Sequence, residues 1–407
     1  TAYKPGLERI TAFCRHIGNP QRNFFTIHVA GTNGKGSVAH IIASVLQQAG
    51  YRTGLFTSPH LYRFNERFQV NGAPIPGAAL DRLAERVLAA ADTLPEHPTE
   101  FELMTAIGFL WFAEAGCDLV VVEVGLGGRL DSTNVIPAPE AAVITNIGLE
   151  HTAILGSTLA AIAAEKSGIL KPGCRAVLYG QSREVGEIVA RACVEKNIPL
   201  TVTDDSQLTL LSSGLDGQRF TYRGSAPLLL PLLGDYQLRN AMTVLDTVDA
   251  LRAQGWNISA DAVAHGLAAA RWPGRLELVH RRPDLIIDGG HNPQCAQALA
   301  ASLRGLYGGK KLIFLIGVLA DKDWQSMVGE VLPLAKAIVT VRPESDRAKD
   351  ENELAAWVRA QGVPAEAHAS IGEALDAVLA LAGPEDAVCA WGSLYSVGEL
   401  RHCLGLC

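Results

Sequence analysis

Residues 24–37 read FFTIHVAGTNGKGS. The apolar run Phe24, Phe25, Ile27 and Val29 predicts a strand, and Val38, Ile41, Ile42, Val45, Leu46 and Ala49 recur at helical spacing after it. Between them, Gly31, Gly34 and Gly36 make a tight loop. Strand, glycine loop and helix together aim backbone N–H groups and a helix N-terminus at one spot. A polyphosphate suits that spot: the amides around Thr32, Asn33, Gly34 and Gly36 take its oxygens, Lys35 adds a positive charge, and the Ser37 hydroxyl reaches its Mg2+. An ordinary strand–turn–helix corner would also use glycines, but three around one Lys-x-Ser argue for a phosphate loop. The loop departs from the common G-x-x-x-x-G-K-[ST] because Gly36 stands between Lys35 and Ser37.

The chain of 407 residues has room for two domains. Its 48% hydrophobic and 19% charged content are those of a globular enzyme, and no run approaches the ~18 apolar residues of a membrane span. The opening TAYKPGLERI lacks the apolar segment of a secretory leader, and a start on Thr1 rather than Met raises the expectation of residues removed or left out there. A net charge of −7 without a Lys/Arg-rich run argues against nucleic acid as a partner. Eight cysteines without a C-x-x-C pair read as thiols of a reducing cytoplasm.

A short amphipathic helix over 7–17 precedes the loop. With roughly 30 residues there, no further N-terminal substrate domain is expected. After the loop, RTGLFT (52–57) predicts a strand ending in a polar and aromatic loop, followed by helices over 80–94 and 101–116. DLVVVEVG (118–125) is a near-continuous apolar strand of the kind buried in parallel sheets. Further strands at 141–148, 175–180 and 199–203 alternate with helices, which predicts a doubly wound, mostly parallel α/β sheet. Around the turn in LTLLSSGLDGQRFTYRG the pattern predicts a β-hairpin at the edge of that sheet. A break at RWPGRLE (271–277) separates domains 1–272 and 273–407; the second, smaller one is expected to be Rossmann-like α/β.

Glu123 places a carboxylate near the carboxyl end of an apolar strand, where an unpaired charge costs several kcal/mol. A Mg2+ beside the phosphate loop resolves that conflict, because ligands of open α/β sheets bind at strand carboxyl ends. A structural ion pair is the competing reading. His151, in the turn GLEHT after the strand AAVITNIG, and Lys166, in a helix beside Glu165, are ordinary surface residues when read alone. In the second domain, LIID followed by Gly289-Gly290 predicts a strand and tight bend. Asn292 and Pro293 suit the cap and first position of a helix, which leaves Asp288 and His291 unexplained by local structure.

The ordered series GTNGKGS, TSPHL, EVGLGGRLDSTN, TNIGLEHT, IAAEKSGI, GDYQLRNA, RWPGRLE, DGGHNP, ADKD and WGSLYSVGE closely resembles the folylpolyglutamate synthases and dihydrofolate synthases of the Mur ligase superfamily. The resemblance spans nearly the whole chain. It implies one Mg2+ held between the ATP phosphates, Ser37, Ser58 and Glu123, and a second Mg2+ held by His151 and a carbamylated Lys166. It also implies contact of Asn240 with the adenine, and of Arg275, Asp288 and His291 with the nucleotide. Thr99, Phe101 and Asp131 match a pterin pocket, with Phe101 stacking and Asp131 accepting ring N–H groups; core packing is the alternative for Phe101.

The implied reaction is ATP-dependent amide formation between L-glutamate and the carboxylate of a folate, and of dihydropteroate as well, through an acyl phosphate. Lys35 and Arg275 would neutralise charge as it develops. A cytoplasmic monomer is expected. A folylpolyglutamate synthase of single activity, another Mur-type ligase and, in a different class, a nucleotide-switch NTPase are the rival readings.

Overall fold

Strand β1 (Phe25–Ala30) is followed at once by the loop and by helix α2, Lys35–Gln48. In this computed structural model, which describes residues 5–406, β1 lies inside an eight-stranded sheet. Residues 1–4, within the opening stretch TAYKPGLERI, and Cys407, one of the eight cysteines, lie outside the described residues.

The other strands of the sheet are β2 (Thr53–Phe56), β3 (Phe68–Val70), β4 (Ala73–Pro74), β5 (Leu119–Glu123), β6 (Ala141–Ile144), β7 (Arg175–Leu178) and β8 (Leu200–Val202). Their order is β4-β3-β2-β5-β1-β6-β7-β8. The pairs from β2 to β8 are parallel, and β3 and β4 add an antiparallel edge where the sequence pattern predicts no strand. Full burial along β5 matches its unbroken apolar run. Helices α1 (Glu8–His16), α3 (Gly77–Ala91) and α4 (Glu100–Glu114) close one core around Phe56, Phe68, Phe109 and Phe112. Helix α2 packs on the helix over Ala260–Ala269, where Ser44 Oγ donates to Gly266 O over 2.8 Å.

After β6 come α5 (Thr152–Leu155), α6 (Leu159–Lys166) and α7 (Arg183–Glu195). The expected hairpin forms, as β9 (Leu208–Gly214) and β10 (Gly217–Tyr222), but not on the edge of the main sheet. It pairs instead with β11 (Leu228–Leu230) in a separate sheet ordered β11-β10-β9. Helices α8 (Asp235–Ala253) and α9 (Ala260–Ala269) follow. The chain divides into two compact units. One holds the chain up to Thr209 with Phe220–Leu229 and Leu238–Ala270; the other holds Leu210–Arg219, Leu230–Gln237 and the chain from Arg271 on.

The second unit carries β12 (Glu277–His280), β13 (Asp284–Asp288), β14 (Leu312–Ile316), β15 (Ala335–Val341), β16 (Ala365–His368) and β17 (Ala387–Trp391). Their order is β12-β13-β17-β14-β15-β16, parallel except for β12 on the edge. Helices α10 (Pro293–Tyr307), α11 (Trp324–Val331), α12 (Glu351–Ala360), α13 (Ile371–Leu381) and α14 (Leu394–Cys403) complete it. As expected, Asn292 caps α10 by accepting from Cys295 N over 2.9 Å, with Pro293 at the first position.

Candidate active site

The order β2-β5-β1-β6 sets four strand ends side by side. Ser58 follows β2, Glu123 ends β5, the phosphate loop follows β1, and Glu150 and His151 follow β6. This is the edge where open α/β sheets bind ligands.

The loop is held from β6. Thr145 Oγ1 donates to Asn33 O at 2.8 Å, and the Asn146 carbonyl accepts from Thr32 N at 2.7 Å and Asn33 N at 3.2 Å. Those two amides are therefore taken up by the sheet, and the helical bonds of α2 begin with Val38 N to Gly34 O. Gly31 is obligatory: a Cβ there would sit 1.8 Å from Thr145 Oγ1. Gly34 has φ +87° and lies against the Asn240 side-chain oxygen, 2.7 Å from where a Cβ would be. Asn240, 3% exposed, thus stands beside the phosphate loop.

Glu123 is buried, and its Oε2 accepts from Ser58 N at 3.1 Å. Carboxylate and the serine main chain thus meet where β2 and β5 end. Gly31, Thr32, Lys35, Gly125, Glu150, His151 and Lys166 line one cleft. His151 sits at its exposed rim with φ +51°. Lys166 is buried and donates to Gly31 O at 2.7 Å, while Lys35 Nζ donates to Thr32 O at 3.1 Å. Burial, and then the charge of Lys35, pulls the Lys166 ammonium down to about 7, with Glu150 and Asp131 acting the other way. Glu150 was missed in the sequence; its signal was an acidic residue just past the end of β6.

Lys166 reaches the cleft because EVGLGGRLDSTN lies flat on the end of α6. A Cβ on Gly128 would meet Lys166 Cα at 3.1 Å, and one on Gly168 would meet Arg129 Cα at 2.3 Å.

The three residues matched to a pterin pocket have local partners. Thr99 caps α4 in a capping box, its N donating to Glu102 Oε2 at 2.7 Å. The Phe101 ring covers Gly125 and meets Phe56 edge-on at 6.2 Å. Asp131 is buried; Oδ2 accepts from Leu126 N at 2.8 Å and Oδ1 from Thr133 N at 3.0 Å. It organises its own loop.

In the second unit, Arg275, Asp288 and His291 gather at the end of β13. Asp288 accepts from Leu276 N at 2.9 Å and Gly290 N at 2.8 Å, and burial raises its pKa despite the opposing charge of Arg275. His291 Nδ1 lies 3.1 Å from Gly289 O. Asp288 therefore ties together the two loops that carry Arg275 and His291.

A phosphate loop joined to a strand-end carboxylate and a buried lysine, with a second α/β unit following it, defines a nucleotide-dependent ligase of the Mur type. Residues 29–248 match the family model described as the Mur ligase middle domain, and residues 274–394 match the Mur ligase, glutamate ligase domain. The chain is 38% identical over 356 residues to the folylpolyglutamate synthase of Lacticaseibacillus casei, covering 84% of this chain and 82% of that one. It is 37% identical over 346 residues to the dihydrofolate synthase/folylpolyglutamate synthase of Bacillus subtilis, covering 82% and 80%. The solved Mycobacterium tuberculosis folylpolyglutamate synthase complexed with ADP and AMPPCP superposes with a TM-score of 0.90 at 33% identity, over 98% of this chain and 96% of that one. The chain belongs to the Mur ligase family, in its folylpolyglutamate synthase/dihydrofolate synthase branch, and is an ATP-dependent ligase. Among the described residues, no helix is long and apolar enough to cross a membrane.

Proposed function

We propose that this ligase joins L-glutamate to the carboxylate of folates and of dihydropteroate, with ATP and Mg2+, as a cytoplasmic monomer. The names of its relatives supply the substrate class. The observation that carries the reading is the meeting of Glu123 and Ser58 beside a phosphate loop that also borders the buried Lys166. Residues 1–272 serve as the ATP-binding domain and residues 273–407 as the glutamate-ligase domain.

The donor set fits Mg2+: a buried carboxylate and serine hydroxyls are the hard oxygen ligands this ion takes. Ser37, Ser58 and Glu123 would hold one ion, and His151 with a carbamylated Lys166 the other. When bound, the ions neutralise charge on the phosphate oxygens. An amine brought to about 7 is neutral often enough near pH 7 to add to CO2, losing a proton and becoming an anionic oxygen donor.

The amides opening α2, with Lys35, orient the γ-phosphate. The substrate carboxylate attacks its phosphorus, and the bond to the ADP oxygen breaks, leaving an acyl phosphate. The amine of glutamate then attacks the carbonyl carbon, phosphate departs, and the nitrogen gives up a proton. Catalysis rests on positioning and on charge already in place. We assign Asn240 to the adenine and Arg275 and His291 to the nucleotide, with Asp288 holding those last two. We place the pterin near Thr99, Phe101 and Asp131, the last acting through its loop.

The test is an assay of purified protein with dihydropteroate or a reduced folate, each with ATP, Mg2+ and glutamate, and with hydroxylamine in place of glutamate. Amide product and a hydroxamate are expected. ATP hydrolysis indifferent to the carboxylate would overturn the reading in favour of a nucleotide switch.

A further inference from the structure

His28 lies in the middle of β1 and is fully buried. Its Nε2 is 2.9 Å from Thr133 Oγ1, and that hydroxyl donates in turn to Asp131 Oδ1. A carboxylate only accepts, so the hydroxyl proton faces Asp131 and the Thr133 oxygen receives its proton from His28 Nε2. The ring's Nδ1 is buried with no partner among the described residues, so the imidazole is tied down through Nε2. Burial, followed by the charge of Lys171, pulls the ring down to about 3, which keeps it neutral and its tautomer constant. Asp131, at the end of this relay, takes the N–H of Leu126, between Gly125 and Gly127 in the cleft wall.

We propose that His28 is a positioning residue for the ligase reaction, acting through Thr133 and Asp131 to hold the Gly125–Gly127 wall against the phosphate loop. Nothing else in the local sequence asks for a histidine at this point of an apolar central strand. The proposal rests on the ligase reading above, and its test carries one readout that does not.

The variants are His28→Leu, Thr133→Val, the pair together, and His28→Gln, which retains a donor near the Nε2 position. In His28→Leu and in Thr133→Val, amide hydrogen exchange at Leu126 is expected to quicken about tenfold. Turnover, kcat, falls about tenfold while KM for ATP stays within about twofold. That split follows because Thr145 and Asn146 hold the phosphate loop independently. His28→Gln restores most of both, and the double variant is no worse than the poorer single, because both break one relay. Unchanged exchange at Leu126, additive losses, or a defect confined to melting temperature would each overturn the proposal. If His28→Leu does not fold, Thr133→Val reports the same quantities. If the unmodified protein forms no amide bond, the reading of the reaction has failed, and exchange at Leu126 still decides the positioning role.

Discussion

The ammonium of Lys166 donates to the main-chain oxygen of Gly31 over 2.7 Å, so a buried cation closes on the first glycine of the phosphate loop. Lys166→Ala is expected to lower kcat about a hundredfold or more, the scale of losing one preorganised charge-stabilising group. Acetate or another small carboxylate should restore part of it by supplying the missing anionic oxygen; near-normal turnover without any additive refutes the carbamate assignment. The linkage has a definite sign. The folded-state value, about 7, lies below the ordinary 10.5, so the folded protein sheds this proton first and stability rises with pH between them. In CO2-free buffer, the melting-temperature advantage of Lys166→Met over the unmodified protein should shrink across that window.

Gly31 answers to Thr145. An alanine Cβ would lie 1.8 Å from Thr145 Oγ1, and that hydroxyl is the one bonding Asn33 O. Gly31→Ala must push the loop off β6, and calorimetry should show nucleotide affinity down at least about tenfold. Gly31→Ala with Thr145→Ala removes the collision and recovers part of the affinity. Equal affinities for Gly31→Ala and the unmodified protein would show that the loop does not depend on this close approach.

These contacts mark the limit of what was legible in the sequence. β1, β5 and β13 were readable because strands buried on both faces carry unbroken apolar runs, and the loop because glycines and Lys35 sit together locally. β3 and β12 were not: each is short and mixed in character, and only pairing with β2 or β13 makes it a strand. The hairpin was visible, but the partner β11 that takes it from the main sheet was not. Glu150, Thr145 and His28 gain their roles from neighbours far along the chain. Thr99 was different: Thr-x-x-Glu ahead of an apolar helix is a capping signature, open to reading from the start.

Asp288 satisfies Leu276 N and Gly290 N at once, and Leu276 has φ +45°, a backbone that a leucine adopts only under constraint. Asp288→Ala leaves two buried amides without their acceptor. Urea unfolding should report a loss of about 1–3 kcal/mol. Asp288→Asn, which retains one acceptor oxygen, should fall between. A fully stable Asp288→Ala would mean that the bend is held by other contacts and that the carboxylate serves the nucleotide directly.

Glu399 on α14 supplies a pH signature for the second unit. Its Oε1 accepts from Glu344 N at 3.1 Å, and burial, reinforced by the charge of Glu344, pushes its carboxyl up to about 7. The folded state thus keeps this proton where the unfolded chain has lost it, from the ordinary 4.5 upward. Its contribution to stability is therefore present below that value and lost as pH rises through about 7. Glu399→Gln keeps an acceptor for Glu344 N–H and removes the titration. Its melting temperature should exceed that of the unmodified protein at about pH 8 and converge with it near about pH 4.5. A difference that stays constant across this range would place the two carboxylates too far apart, or too well solvated, to feel one another.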